Sequence, residues 1–140
     1  MSAAMSSRSE QSAEFFVDRS LGKSIVRGLR AAGLTVQSMA DVYGEKQAQR
    51  LPDETWLRDA GRNNWIVLTK DDAIRRRPAE RDALIEAAVR VFCLTKRNLR
   101  GVEQTARFVS NRHRIIRQAS KPGPYIYGVY EHGLRRLWPK

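Results

Sequence analysis

The sequence predicts an α/β domain with three layers, in which helices cover both faces of a mostly parallel central sheet. Short apolar, β-prone runs alternate along the chain with segments whose apolar residues recur at helical spacing. The 140 residues are enough for one domain with its own core. A turn-rich break at 121–124 separates two further β-prone runs, which predict a C-terminal β-hairpin. We expect 1–13, rich in Ser and Ala, to form a flexible tail, and 14–140 to form the single domain.

The first half of the chain contains three predicted strands and two helices. A helix capped by Ser20 and ended by Gly33 follows the first strand, and a second helix opens at Pro52 and stops at Gly61. The polar, irregular stretch 40–51 predicts a loop. The strands are predicted at 14–17, 34–39 and 65–69.

The second half adds two helices, a fourth parallel strand and the hairpin. Proline opens the helix predicted at 78–88, and the apolar face of 101–119 predicts one long amphipathic helix. The strands are predicted at 90–94, 125–130 and 134–138.

The charge of the chain is large and unevenly distributed. The net charge is +11, of which residues 1–70 contribute +2 and residues 71–140 contribute +9. Such asymmetry is typical of a surface that contacts nucleic acid, although a solubilising surface charge is the alternative. The single cysteine, Cys93, excludes an internal disulfide and multi-thiolate metal sites. No run is long and apolar enough to span a membrane, so we expect a cytoplasmic protein with no membrane contact.

Acidic residues follow two of the predicted parallel strands. Asp18 comes directly after the first strand, Asp71 and Asp72 follow the third, and Asp53 opens the helix before it. Ligands bind outside the carboxyl ends of such strands. Carboxylates that cluster there repel one another unless a cation neutralises them, and their oxygens suit Mg²⁺ or Mn²⁺. The alternative is that each acid only caps the helix that follows it.

Several segments carrying these acids resemble the PIN-like domains, most closely the VapC-type toxins with a shortened fold. The resemblance covers roughly residues 14–120 of the chain. It rests on FFVD (15–18), PDETWL (52–57), WIVLTKDD (65–72), the basic stretch 75–84, and VFCLT (91–95).

The resemblance implies a metal-dependent endoribonuclease that is the toxin of a toxin–antitoxin module. It implies an RNA substrate, a cognate antitoxin protein as inhibitor, and a homodimer as the assembly. It places the metal ligands on Asp18, Asp53 and Asp71, with Asp72 as a fourth, and Glu54 is the alternative to Asp53. Larger PIN nucleases carry a further acid near their fourth strand, whereas residues 90–97 here contain none.

The basic residues complete this hypothesis. Arg75, Arg76 and Arg77 lie next to the acids and are expected to bind RNA phosphates. Because the two histidines, His113 and His132, lie far apart in the chain, hydrolysis is expected rather than transesterification through the 2′-OH. The alternative function is a catalytically weak PIN-like scaffold that binds RNA or protein. A DNA-binding regulator would need a helix-turn-helix, which the sequence does not predict.

Overall fold

A computed structural model describes residues 13–96 and 98–140 of the chain. The predicted tail at 1–13 lies, apart from residue 13, outside the described residues. The strands are β1 (Glu14–Val17), β2 (Thr35–Ser38), β3 (Ile66–Thr69), β4 (Arg90–Leu94), β5 (Tyr125–Tyr130) and β6 (Gly133–Trp138). The helices are α1 (Lys23–Ala31), α2 (Met39–Tyr43), α3 (Glu45–Arg50), α4 (Asp53–Arg62), α5 (Pro78–Ala87), α6 (Gly101–Ser110) and α7 (Arg112–Ala119), with a 3₁₀ helix at Asp72–Arg76.

The six strands form one sheet in the order β2-β1-β3-β4-β5-β6. The first five strands are parallel, and β6 runs antiparallel to β5. The predicted α/β fold class is therefore confirmed, and the hairpin extends the sheet because β5 pairs directly with β4. None of the helices in the described part of the chain is long and apolar enough to cross a membrane.

Alternation along the strands divides the core between the two faces of the sheet. Phe15 and Val17 point to one face and Phe16 to the other, because successive side chains of a strand alternate. The first face packs against α1, α6 and α7, and the second packs against α4 and α5. Asp53 lies on α4 and Glu80 lies on α5, so both residues belong to the same layer of helices.

The predicted loop at 40–51 is wrong, because two short helices, α2 and α3, occupy it. A capping box starts α2: the Asp41 amide donates to Ser38 Oγ at 3.1 Å, and the Ser38 amide donates to Asp41 Oδ2 at 2.9 Å. Gly44, with a φ of 84°, separates the two helices. Helices of five and six residues are too short to show a periodic apolar pattern.

The single helix predicted at 101–119 is also wrong, because it divides into α6 and α7 at Asn111. Asn111 is buried, and its Nδ2 donates to the carbonyl oxygens of Arg107 at 2.8 Å and Tyr130 at 2.7 Å. The buried amide thereby joins the helix break to the end of β5. The apolar spacing runs on through this polar residue, so periodicity alone could not reveal the break.

Gly61 was predicted to end its helix, but α4 continues to Arg62 and Gly61 lies where α4 crosses α5. A Cβ atom at this position would lie 2.3 Å from the carbonyl oxygen of Ala87.

We expect Gly61→Ala to lower the free energy of unfolding by about 2–3 kcal/mol, because the two helices must separate. Urea unfolding measures this change, and Gly22→Ala is the control, since open space surrounds Gly22. Equal stability of the two variants would contradict the close crossing.

Candidate active site

Three carboxylates converge beside the carboxyl ends of β1 and β3. Asp53 is the first residue of α4, Asp71 follows β3, and Glu80 lies in the first turn of α5. One oxygen atom from each of the three lies within 4.8 Å of those of the other two. We call these three residues the acid cluster. Like charges at such distances repel, so a cation is needed to stabilise the cluster when all three are ionised.

Glu80 is the member of the cluster that the sequence interpretation missed. Its side chain is buried, and burial raises its pKa, with Asp53 and Asp71 adding to the effect and the Arg77 guanidinium opposing it. An acidic residue is common in the first turn of any helix, because its negative charge interacts favourably with the helix dipole. The usable signal was its spacing, because residues 80, 83 and 84 form the buried stripe of α5.

Asp18 lies next to the cluster and is almost completely buried, with 4% of its surface exposed. Ser20 Oγ donates to Asp18 Oδ1 at 2.5 Å, and Thr69 Oγ1 donates to Asp18 Oδ2 at 3.0 Å. Burial, with a smaller contribution from the charges of Asp53 and Asp71, raises the pKa of Asp18 to about 7 despite these two hydrogen bonds. Asp18 therefore holds a proton for much of the time near neutral pH when no metal is bound.

Two hydroxyl groups, from Ser20 and Thr69, join the ends of β1 and β3. Ser20 Oγ lies 3.1 Å from Thr69 Oγ1 and accepts from the Lys70 amide at 3.1 Å. Thr69 Oγ1 also accepts from the Asp71 amide at 3.0 Å. The prediction that Ser20 caps α1 is wrong, because α1 begins at Lys23 after Gly22. Ser20 and Thr69 instead position Asp18 and Asp71, a role that the sequence interpretation missed because it depends on contacts between strands.

A guanidinium group spans the acid cluster. Arg77 Nη1 lies 2.8 Å from Glu80 Oε1, 2.9 Å from Asp71 Oδ2 and 3.8 Å from Asp53 Oδ2. Hydrogen bonds to Asp71 and Glu80 raise the pKa of Arg77 above its ordinary value. Arg19 supports the other side, with Nη2 lying 3.6 Å from Asp53 Oδ1 and donating to the carbonyl oxygen of Leu51.

The other candidate residues lie around the cluster. Asp72 and Glu54 are outside it, and Asp72 lines an adjoining cleft of about 300 Å³ with Lys70 and Lys96. Arg76 is exposed. Arg75 is half-buried, and its Nη1 is buried without a hydrogen-bond partner in the part of the chain that the structure describes.

The donor set of the acid cluster fits a divalent cation. All three groups offer carboxylate oxygens, which Mg²⁺ and Mn²⁺ prefer, and no soft ligand is among them. The guanidinium of Arg77 shows independently that this position accommodates positive charge. Asp53, Asp71 and Glu80 are the residues that would hold such an ion, with Asp18 next to them.

Arg77 and a divalent ion would compete for the same oxygens. We expect Arg77→Gln to tighten Mn²⁺ binding by about fivefold, because two half-exposed ion pairs together contribute about 1 kcal/mol. Isothermal titration calorimetry measures this affinity directly. Arg81→Gln is the matched control, since Arg81 is exposed on α5, four residues after Arg77, and lies outside the cluster. Weaker binding by Arg77→Gln would show that the guanidinium supports the ion rather than competing with it.

The raised pKa of Asp18 predicts a pH-dependent stability. Between about pH 4 and pH 7 the unfolded chain loses the Asp18 proton while the folded protein keeps it, so this contribution to stability is lost as pH rises through that range. We expect the stability of Asp18→Asn relative to the unsubstituted protein to increase by up to about 1.4 kcal/mol per pH unit. Urea unfolding of both proteins in EDTA, at several pH values, measures this difference in the free energy of unfolding. Parallel pH profiles for the two proteins would contradict a raised Asp18 pKa.

Comparison with known proteins gives two matches. A family model described as "PIN like domain" matches residues 13–96. A Mycobacterium tuberculosis protein named "Putative ribonuclease VapC45" is 36% identical over 123 residues, which is 87% of this chain and 89% of that protein. No solved structure matches the chain significantly.

Proposed function

The chain belongs to the PIN-like domain family, and from this premise we propose that it is a metal-dependent endoribonuclease, the toxin of a toxin–antitoxin module. The observation that carries the proposal is the convergence of Asp53, Asp71 and Glu80 at the carboxyl ends of the parallel strands. The similarity to a protein named as a ribonuclease supports RNA as the substrate. The proposed domain comprises residues 14–140, in the cytoplasm, with a cognate antitoxin and a second copy of the chain as protein partners.

Each residue of the site has a proposed role. Asp53, Asp71 and Glu80 bind the divalent ion, Mg²⁺ or Mn²⁺, and Asp18 and Asp72 lie beside them as further acids. When bound, the ion supplies an activated water and neutralises charge at the phosphodiester. Ser20 and Thr69 orient Asp18 through their hydroxyl groups, and Thr69 also fixes the Asp71 backbone.

The arginines of the 3₁₀ helix and of the residue that follows it are proposed to bind RNA. Arg76 is exposed and Arg75 is half-buried, and both follow Asp71 within five residues of the chain. Arg77, once separated from Asp71 and Glu80, could bind a phosphate oxygen with the same guanidinium. Such contacts position the backbone without reading the base sequence.

A second function, a scaffold without catalysis, is favoured by one observation. Arg77 already neutralises much of the acid cluster through contacts of 2.8 and 2.9 Å. A cluster neutralised in this way needs no metal ion to be stable. A protein of this kind would bind RNA or protein but would not cleave RNA.

The experiment that separates the two functions is RNA cleavage by the purified protein with Mg²⁺, with Mn²⁺ and with EDTA. We expect cleavage with either ion and none in EDTA. Retained RNA binding without cleavage under any condition would favour the scaffold. Cleavage that persists in EDTA would contradict the metal-dependent mechanism.

A further inference from the structure

The C-terminal part of the chain, beyond the family match, is strongly basic. Residues 98–140 contain nine Lys or Arg against two acids, whereas residues 13–96 contain 15 against 12. The family match ends at residue 96. The excess positive charge is therefore concentrated on α6, α7 and the hairpin rather than around the acid cluster.

A groove of about 440 Å³ lies between α7 and the hairpin of β5 and β6. Arg114, Arg117 and Lys121 line one side, and Leu134 lines the other. Tyr127 also lines it. No acid is among the lining residues that the structure describes. We call this feature the basic groove.

The three cations of the helix side are available for a ligand. Arg114 and Arg117 are three residues apart on α7 and therefore share one helical face, Lys121 follows two residues after the end of α7, and all three are exposed. The opposite face packs into the core through Ile115 and Ala119. Within 13–96 and 98–140, none of the three forms an ion pair with an acid.

Tyr127 provides an aromatic surface held in a fixed orientation. Its ring stacks on Phe92 with the centroids 6.2 Å apart and the planes inclined by 24°. The guanidinium carbon of Arg136 lies 5.9 Å from the centroid of the same ring. The ring is half-buried, and a fourth cation therefore borders the basic groove.

The basic groove is separate from the acid cluster. β5 lies two strands from β3 in the sheet, which corresponds to roughly 10 Å. Tyr127 and Leu134 pack with the layer of α1, α6 and α7, whereas Asp53 and Glu80 belong to the layer of α4 and α5. A ligand in the groove would therefore not occupy the site of cleavage.

We propose that the basic groove binds single-stranded RNA outside the catalytic site, with phosphates on Arg114, Arg117, Lys121 and Arg136 and a base against Tyr127. Cations around an aromatic ring are the combination that binds single-stranded nucleic acid without sequence preference. The ring favours RNA over an acidic protein segment, because each base offers a π face. The choice of RNA as the polyanion rests on the proposed function.

The test is fluorescence anisotropy with a fluorescein-labelled oligouridylate of about 20 nucleotides, which is long enough to span one such groove. EDTA is present so that the RNA is not cleaved during the measurement. The anisotropy therefore reports RNA binding whether or not the protein is catalytically active. The groove variant combines Arg114→Gln, Arg117→Gln and Lys121→Gln. The matched control removes three exposed cations elsewhere: Arg27→Gln, Lys46→Gln and Arg62→Gln.

We expect the groove variant to raise Kd by about tenfold and to reduce the salt slope of log K by about 2, since each phosphate contact on a single strand contributes about 0.7. The control variant should stay within about twofold of the unsubstituted protein. With metal, the groove variant should raise KM and keep kcat. Thermal melting verifies that both variants are folded.

Two results would overturn the proposal. One is equal RNA affinity for the groove and control variants, which would mean that the net charge of the protein, and not the basic groove, determines RNA affinity. The other is binding of a labelled oligoglutamate to the groove as tightly as RNA, insensitive to Tyr127→Leu, which would assign the groove to an acidic protein segment. Failure of cleavage with intact groove binding would contradict only the proposed function.

Discussion

Asp71→Asn is expected to reduce the rate of RNA cleavage by about 100-fold or more, because one of the three carboxylates proposed to hold the divalent ion loses its charge. The substitution is structurally mild. Asp71 Oδ1 accepts from the Ala73 amide at 3.1 Å, and an asparagine oxygen accepts the same hydrogen bond. Initial rates at saturating Mn²⁺ measure the effect, and thermal melting verifies the fold.

The control for this variant is Asp82→Asn, which removes an exposed carboxylate from α5 outside the acid cluster. It should retain nearly full activity. Equal cleavage by Asp71→Asn and the unsubstituted protein would mean that the observed cleavage arises from another site or from a contaminant.

Glu80→Gln is expected to reduce the rate of RNA cleavage as much as Asp71→Asn does. We also expect it to weaken Mn²⁺ binding by about tenfold or more. Glu80 contributes a carboxylate from α5, a helix that carries none of the four aspartates predicted to bind metal. The neutral amide still accepts from Arg77 Nη1, so the fold should be retained. Calorimetry and initial rates together separate metal binding from catalysis.

Glu86→Gln is the matched control, since Glu86 lies on α5 like Glu80 and forms a surface ion pair with Arg58 of α4. An exposed pair of this kind contributes little to stability. Full activity of Glu80→Gln would exclude Glu80 as a ligand and would leave the four predicted aspartates as the ligand set.

The sequence predicted the parts of the site that depend on strand ends. Asp18 and Asp71 follow buried parallel strands, and the carboxyl ends of such strands meet at one edge of the sheet. Asp53 was predicted because a proline and an acid mark a helix start. The fold class followed from the same alternation of strands and helices.

The remaining parts depend on long-range contacts that one-dimensional patterns do not contain. Glu80 resembled an ordinary first-turn acid, and only the burial of its helical face distinguishes it. Arg77 was predicted as an RNA ligand, whereas the structure places its guanidinium across the acid cluster. The helix break at Asn111 depends on a hydrogen bond to Tyr130, 19 residues away.

The basic groove shows the same limitation. The excess of Lys and Arg in the second half is visible in the sequence, but its position is not. Only the pairing of β5 with β4 brings Tyr127 beside α7. Two separate cationic features result, one next to the acids and one on the opposite layer.

The most direct test of the central claim is a crystal structure of the protein soaked in Mn²⁺, with anomalous scattering used to locate the metal. We expect one anomalous peak within about 2.3 Å of oxygen atoms from Asp53, Asp71 and Glu80, with Arg77 displaced from them. A peak elsewhere, or no peak with Arg77 still spanning the three carboxylates, would contradict the metal-dependent site.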